Sequence, residues 1–179
     1  MITLRPARLD DLVAIEALIA RSARELSAGY YTPSQVAGLL RYVFGADTQL
    51  MRDGTYFLCE MDGVGAVAAG GWSRRATLFG ADRLKSGDDP LLDPRTEPAR
   101  LRAFFVDPAW ARRGLGRRLY DECVTAAHEA GFRRLTLVAT LPGEPLYRAL
   151  GFTADERFAL RLPDGTDAPM VRMSRSIEA

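Results

Sequence analysis

The segment ARRGLGRRLY, residues 111–120, combines two glycines with four arginines at the start of a stretch whose apolar residues recur at helical spacing. Backbone N–H groups in the first turn of a helix have no partner within that helix, and the helix dipole places partial positive charge there. Glycine leaves such backbone open to an anion, and arginine adds positive charge around it. The segment therefore indicates a phosphate or pyrophosphate site, with Gly114 and Gly116 opening the backbone and Arg112, Arg113, Arg117 and Arg118 adding charge around it. A plain loop before an arginine-rich, solvated helix face is the alternative.

Two better-known phosphate-binding patterns do not fit this chain. The arginine segment lacks the Gly-Lys-Ser/Thr of a P-loop, and the only lysine, Lys85, lies elsewhere in the sequence. GVGAVA, residues 63–68, matches the GxGxxA dinucleotide fingerprint, but it follows a turn and continues as a strand instead of a helix. This second pattern therefore predicts a β-hairpin.

Predicted helices and strands place the arginine segment between a strand and a helix. Alternating and apolar runs predict strands at 2–6, 55–60, 64–72, 101–106 and 133–140, and then a terminal hairpin at 157–162 and 169–174. Helical spacing and capping residues predict helices after Asp10, from Thr32 to about Gly45, from Leu115 to Gly131, and at 146–150. The whole pattern predicts an α/β fold in which helices flank one mixed, largely antiparallel central sheet.

Length and composition predict a single domain spanning residues 1–179. Of the 179 residues, 47% are hydrophobic, and the net charge is +1. So small a net charge gives no reason to expect a nucleic-acid or membrane partner, and any basic function must be local. Cys59 and Cys123 lie in apolar surroundings without the spacing of metal ligands, so we expect reduced core cysteines and no metal. Neither a signal peptide nor a membrane-length apolar stretch is visible, which predicts a cytoplasmic protein.

Two further segments bear on identity. FFVDPAWARRGLGRRL, residues 104–119, resembles the acyl-CoA-binding motif of the GCN5-related N-acetyltransferase (GNAT) superfamily, a strand followed by V-x-P, an aromatic residue and [Q/R]-x-x-G-x-[G/A]. TLPGEPLYRALGF, residues 140–152, resembles that family's second signature, in which a Tyr precedes a Gly-Phe pair. Residues 2–18 resemble its N-terminal strand and first helix, so the resemblance covers essentially the whole chain. Two positions depart from the pattern: Ala111 replaces the usual Gln or Arg, and Thr140 stands where many members carry Asn.

The resemblance implies acetyl-CoA as co-substrate and a sheet whose fourth and fifth strands splay apart. It implies that Phe104, Phe105 and Val106 offer edge-strand backbone groups to the pantetheine arm. It also implies that residues 112–117 hold the pyrophosphate and that Thr140 lies beside the arm. The acceptor amine would attack the thioester directly, between the two splayed strands.

Tyr147 is the candidate general acid that the second signature implies. A tyrosine of ordinary pKa near 10 gives its proton to a thiolate of pKa about 8.5 at a cost of roughly 2 kcal/mol. Its position in the first turn of a helix after Pro145 would also favour the phenolate. A half-buried tyrosine that only packs on the sheet is the alternative. No general base is evident, since Glu60 and Asp62 could act through water or be ordinary surface charges.

The sequence therefore predicts an N-acetyltransferase that moves an acetyl group from acetyl-CoA to the primary amine of a small molecule. A protein N-terminal or lysine acetyltransferase and a non-catalytic acyl-CoA sensor remain as alternatives, and a homodimer is left open. The connection at 73–98, with three prolines and four aspartates, is far too long for a hairpin loop. We expect it to fold over the acceptor side or across a dimer partner, with a mobile surface insertion as the alternative.

Overall fold

The computed structural model describes residues 1–85 and 87–178 and contains a seven-stranded sheet. The strands are β1 (Ile2–Pro6), β2 (Tyr56–Met61), β3 (Gly65–Ser73), β4 (Ala99–Val106), β5 (Arg134–Thr140), β6 (Thr153–Arg161) and β7 (Asp167–Ser176). Their order in the sheet is β1-β2-β3-β4-β5-β7-β6, and every pairing is antiparallel except that of β4 with β5. The predicted mixed, largely antiparallel sheet is confirmed, and GVGAVA lies in the β2–β3 hairpin.

Helices cover both faces of the sheet because alternate strand residues point to opposite faces. The helices are α1 (Leu12–Leu26), α2 (Pro33–Tyr42), α3 (Thr48–Arg52), α4 (Leu115–Glu129) and α5 (Glu144–Ala149). On β2, Leu58 packs in the cluster with α1, whereas Cys59 packs in the cluster with α4. Both cysteines are buried and free. None of the helices that the structure describes combines the length and apolar character needed to cross a bilayer.

The helix starts follow the capping residues, with two differences from prediction. Thr32 caps α2 as expected: its hydroxyl accepts from Gln35 N at 3.2 Å, and Gln35 Oε1 accepts from Thr32 N at 2.9 Å. A short 3₁₀ turn at Leu9–Asp11 precedes α1, so Asp11 and not Asp10 stands at its N-cap. The helix predicted to end near Gly45 stops at Tyr42, and α3 follows as a separate turn that sequence reasoning missed.

Strands β4 and β5 separate soon after they pair. The two strands pair at only two positions, Ala99 with Leu135 and Arg100 with Thr136. Ala103 then adopts a left-handed φ of 54°, where the register of β4 with β3 also shifts. Such a bulge bends a strand away from its neighbour. The predicted splaying of the fourth and fifth strands is therefore confirmed, and it opens a cleft in the sheet.

The long connection between β3 and β4 is fastened to the rest of the fold. Arg102 of β4 donates to Thr77 O at 2.9 Å, and it also donates to Gly80 O. Lys85 Nζ lies 2.6 Å from Asp47 Oδ1, at the start of α3. Leu78 to Ala81 thereby line the cleft. That the connection covers the acceptor side or a dimer partner stays a prediction.

Candidate active site

The turn between β4 and α4 presents a row of backbone N–H groups without protein partners. No amide from Arg112 to Arg117 donates a hydrogen bond to any described residue. The first amide engaged by the helix is that of Arg118, which donates to Gly114 O at 3.0 Å. Unpaired amides at the N-terminus of a helix form an anion-binding site, because the helix dipole adds to their partial charges. The geometry of this turn therefore suits a phosphate group.

The two glycines of this turn serve different purposes. Gly114 has a φ of 81°, a left-handed conformation that costs little only for glycine, and open space lies where its Cβ would be. A Cβ on Gly116 would instead lie 2.8 Å from Leu146 Cδ2 on α5. The sequence predicts that both glycines keep the space in front of the amides clear, but only Gly114 does so. Gly116 lets α5 pack closely against α4.

The four arginines of the segment also divide by role. The Arg113 guanidinium stacks 4.8 Å from the centre of the Trp110 ring, and Arg118 donates to the backbone of β1 at 3.1 Å. Arg112 and Arg117 line the cleft and form no hydrogen bond or ion pair with another described residue. These two side chains are therefore available to an anion at the turn.

Beyond Ala103, β4 has a free edge. Phe105 and Val106 pair with β3 on one side, but no described strand pairs with residues 101–106 on the side of β5. The ring of Phe104 packs over Gly70, where a Cβ would lie 2.4 Å from a ring carbon. An open strand edge can hydrogen-bond an extended, amide-containing ligand as an added strand would.

Tyr147 stands on α5 beside that edge. Its ring centre lies 6.3 Å from that of Phe104 and 5.9 Å from that of Phe152, which hold the ring on both sides. Its hydroxyl forms no hydrogen bond with another described residue. Burial, with the nearby Cys123 as a smaller cause, raises the pKa of Tyr147 above its ordinary value. Burial and the helix start therefore act on the phenolate in opposite directions.

Thr140, at the end of β5, supports the turn that leads to Tyr147. Its Oγ1 accepts from Gly143 N at 3.3 Å. A Cβ on Gly143 would lie 3.2 Å from Thr140 Oγ1 and 3.4 Å from Tyr147 Cε2. The hydroxyl at this position therefore helps to place α5, in addition to lining the cleft.

One cavity of about 670 Å³ brings the sequence-predicted residues together. Its lining includes Tyr147, Phe104, Phe105, Val106, Arg112, Gly114, Leu115, Gly116, Arg117 and Thr140. Arg113 is the predicted residue that does not line it, because it stacks on Trp110. The cavity is also lined by the end of α1, by residues 43–45 after α2 and by residues 78–81. Sequence reasoning missed this inner wall, since its apolar side chains carry no signal that separates them from core residues.

The carboxylates considered as general bases lie away from the cavity. Glu60 accepts from Arg5 Nε at 2.6 Å, and Asp62 pairs with the N-terminal amino group at 3.1 Å. Among the described residues, no carboxylate or histidine lines the cavity. No cluster of three potential metal ligands occurs in the described part of the chain either. The arrangement offers anion-binding amides, a free strand edge and one half-buried phenol.

Comparison with known sequences assigns the chain to a family. The sequence model described as the Acetyltransferase (GNAT) family matches residues 20–152. No curated protein matches the sequence well enough to count as a relative.

Solved structures share this fold along nearly their whole length. A GCN5-related N-acetyltransferase described as Aminotransferase, Class-II, from Rhodopseudomonas palustris has a TM-score of 0.70 at 19% identity, covering 98% of this chain and 95% of that one. PaiA N-acetyltransferase from Thermoplasma acidophilum, in complex with coenzyme A, has a TM-score of 0.65 at 13% identity, covering 98% and 99%. YncA from Salmonella typhimurium, with its cofactor acetyl-CoA, has a TM-score of 0.63 at 17% identity, covering 100% and 95%. Since the family model matches well over half of the chain, this protein belongs to the acetyltransferase (GNAT) family of acetyl-CoA-dependent N-acetyltransferases.

Proposed function

We propose that this protein transfers the acetyl group of acetyl-CoA to the primary amine of a small molecule by direct attack, with Tyr147 as general acid. The observation that carries the proposal is the continuity of the 670 Å³ cavity. Its lining includes residues of the turn with the unpaired amides, residues of the free edge of β4, Tyr147 and the inner wall. One cavity thus joins an anion site, a strand-like binding edge and a proton donor.

Acetyl-CoA suits the outer part of this cavity. The amides of residues 112–117, with the side chains of Arg112 and Arg117, would bind the pyrophosphate. Backbone groups of residues 104–106 would hydrogen-bond the amides of the pantetheine arm. YncA and PaiA, bound to acetyl-CoA and coenzyme A respectively, share the fold and support this assignment.

Tyr147 would move the proton that the reaction requires. Acetyl-CoA supplies a thioester whose C–S bond breaks as the acceptor nitrogen forms the amide bond. Tyr147 donates its hydroxyl proton to the departing sulfur, and the proton released by the nitrogen returns to the phenolate. Burial raises the pKa of Tyr147. The same surroundings also raise the pKa of a thiol, so the difference that governs the transfer is largely retained.

The acceptor would react as a free base. No carboxylate among the described residues lines the cavity to accept a proton from an ammonium group. Apolar surroundings themselves favour the neutral amine, because burial penalises its charged form. No residue is therefore assigned to remove a proton from the amine before it attacks.

Release of free thiol from acetyl-CoA tests the transfer. We expect release with a panel of small primary amines, and slower release with two peptides, one with a free N-terminus and one with a lysine as its sole amine. Faster release with either peptide would favour a protein acetyltransferase. Acetyl-CoA binding in calorimetry without release for any acceptor would favour the acyl-CoA sensor.

A further inference from the structure

The part of the cavity that is lined by the end of α1, the segment after α2 and residues 78–81, which we call the acceptor chamber, is walled mainly by apolar side chains. They come from the last turns of α1, the segment after α2 and the β3–β4 connection, and they include Ala23, Leu26, Val43, Phe44, Leu78 and Phe79. Carbon surfaces of this kind bind apolar groups by excluding water. The chamber is therefore shaped for a hydrocarbon skeleton.

Arg102, the charged side chain that lines the chamber, is not free to bind a charged group of a substrate. Arg102 is 3% exposed, and its guanidinium is already bound to Asp47 Oδ2 at 2.8 Å and to the carbonyls of Thr77 and Gly80. A substrate carboxylate would have to compete with Asp47 for it. The chamber thus offers no free cation at this position.

The nearby carboxylates are occupied as well. Asp47 is fully buried and pairs with both Arg102 and Lys85. Glu16 accepts from Ala46 N at 2.8 Å and pairs with Arg83. Neither carboxylate lines the chamber. A second ammonium group on a substrate would therefore lose its hydration without gaining a counter-charge.

Hydroxyl groups interrupt this apolar wall. Ser22 and Ser27 of the α1 end line the chamber although the two residues are only 5% and 3% exposed, and Tyr30 lines the cavity close by in the sequence. Neither serine hydroxyl forms a hydrogen bond with another described residue, and neither oxygen is fully enclosed by protein. Such a hydroxyl can donate to, or accept from, a ligand group in the cavity.

We propose that the acceptor of this enzyme is an amine whose reacting nitrogen is its only ionisable group, carried on an apolar skeleton. Ser22 and Ser27 would receive an uncharged hydrogen-bonding group on that skeleton. This inference rests on the proposed function, since it names the substrate class for the same cavity. It excludes diamines, polyamines and amino acids as good acceptors.

Four six-carbon amines that differ only at the far end test the proposal. Hexylamine ends in a methyl group, aminohexanol in a hydroxyl, hexamethylenediamine in an ammonium and aminohexanoate in a carboxylate. We expect kcat/KM for hexylamine and aminohexanol to lie within about tenfold of each other, and about a hundredfold or more above that for the two charged acceptors. Equal or faster turnover of the diamine or of aminohexanoate would overturn the proposal while leaving acetyl transfer to small amines intact.

Binding of the same four amines to the protein loaded with coenzyme A, measured by calorimetry, separates recognition from chemistry. Selective binding of the two uncharged-end amines without thiol release would support the acceptor class and count against the proposed transfer. Unselective binding, or no binding of any of the four, would overturn the acceptor class.

Substitutions in the chamber wall test whether the selectivity among the four amines arises there. Leu26→Glu places a carboxylate in its wall, and we expect the ratio of diamine to hexylamine turnover to rise at least about tenfold. Val13→Glu is the matched control, because it makes the same change of charge on α1 at a position that is 81% exposed and outside the cavity. The double variant Ser22→Ala/Ser27→Ala should lower aminohexanol turnover relative to hexylamine. An unchanged selectivity ratio in Leu26→Glu and in the serine variant would contradict the assignment.

Discussion

At the scale of single residues, Tyr147 carries the proposed chemistry, and its removal gives the first prediction. Tyr147→Phe keeps the ring that packs between Phe104 and Phe152 but loses the hydroxyl. We expect turnover to fall by about a hundredfold or more, the usual scale of a general acid, with acetyl-CoA affinity unchanged. Thiol release and calorimetry on the same preparation measure the two quantities. An unchanged rate would mean that water protonates the sulfur and that Tyr147 only packs.

The second prediction concerns pH. The reaction needs a neutral amine and a protonated Tyr147, whose pKa burial raises above its ordinary value. Activity should therefore climb as pH rises towards the pKa of the amine. It should not decline until pH exceeds about 10, since Tyr147 stays protonated until then. A kcat/KM profile at fixed ionic strength measures this, and a decline beginning near pH 8 would point to a different, more acidic donor.

At the scale of elements, the close approach of α4 and α5 links cofactor binding to catalysis. Gly114→Val forces a branched side chain into a left-handed conformation and into the open space before the amides. We expect it to weaken acetyl-CoA binding at least tenfold. Gly116→Val should instead displace Leu146, and with it α5, so turnover should fall more than affinity.

Arg118→Ala is the control for both glycine variants, because that side chain bonds to the backbone of β1 and does not line the cavity. This third prediction is tested on the three variants by calorimetry, which measures acetyl-CoA affinity, and by thiol release, which measures turnover. If Arg118→Ala impaired acetyl-CoA binding as much as Gly114→Val, binding would depend on side-chain charge and not on the backbone amides.

The elements also show what the sequence can predict. Strands and long helices follow from alternation and helical spacing, as the buried positions Leu119 and Cys123 of α4 illustrate. Two features escape such patterns. The bulge in β4 lies at Ala103, although alanine has no preference for the left-handed conformation. The five residues of α3 are too few to show a helical period. The bulge depends on tertiary contacts that local sequence does not encode, whereas the one local signal of α3 is its N-cap residue, Asp47.

At the scale of the whole molecule, the ion cluster of Asp47, Arg102 and Lys85 ties α3, β4 and the long connection together. Asp47→Ala would leave a guanidinium that is 2% exposed without its carboxylate. We expect the free energy of unfolding to fall by about 3–5 kcal/mol, the usual cost of breaking a buried ion pair from one side. Urea denaturation measures this fourth prediction.

Asp62→Ala is the matched control, since it removes an ion pair whose two side chains are 75% and 88% exposed. Exposed pairs contribute little to stability, so the urea midpoint should barely move. An equal loss of unfolding free energy in Asp47→Ala and Asp62→Ala would contradict a structural role for the buried cluster. The cluster itself was not predictable, because a charged residue within a strand normally indicates a solvent-facing position.

Lys85 gives the ion cluster a practical consequence. It is the only lysine in the chain, and its ammonium, 17% exposed, is held against Asp47. Amine-directed reagents therefore have two targets in this protein, the N-terminus and Lys85. The N-terminus should react freely, whereas Lys85 should react only while the connection swings away from α3. The rate of the second mass increment would then report how often Lys85 separates from Asp47 in the unmodified protein, with no probe engineered into it.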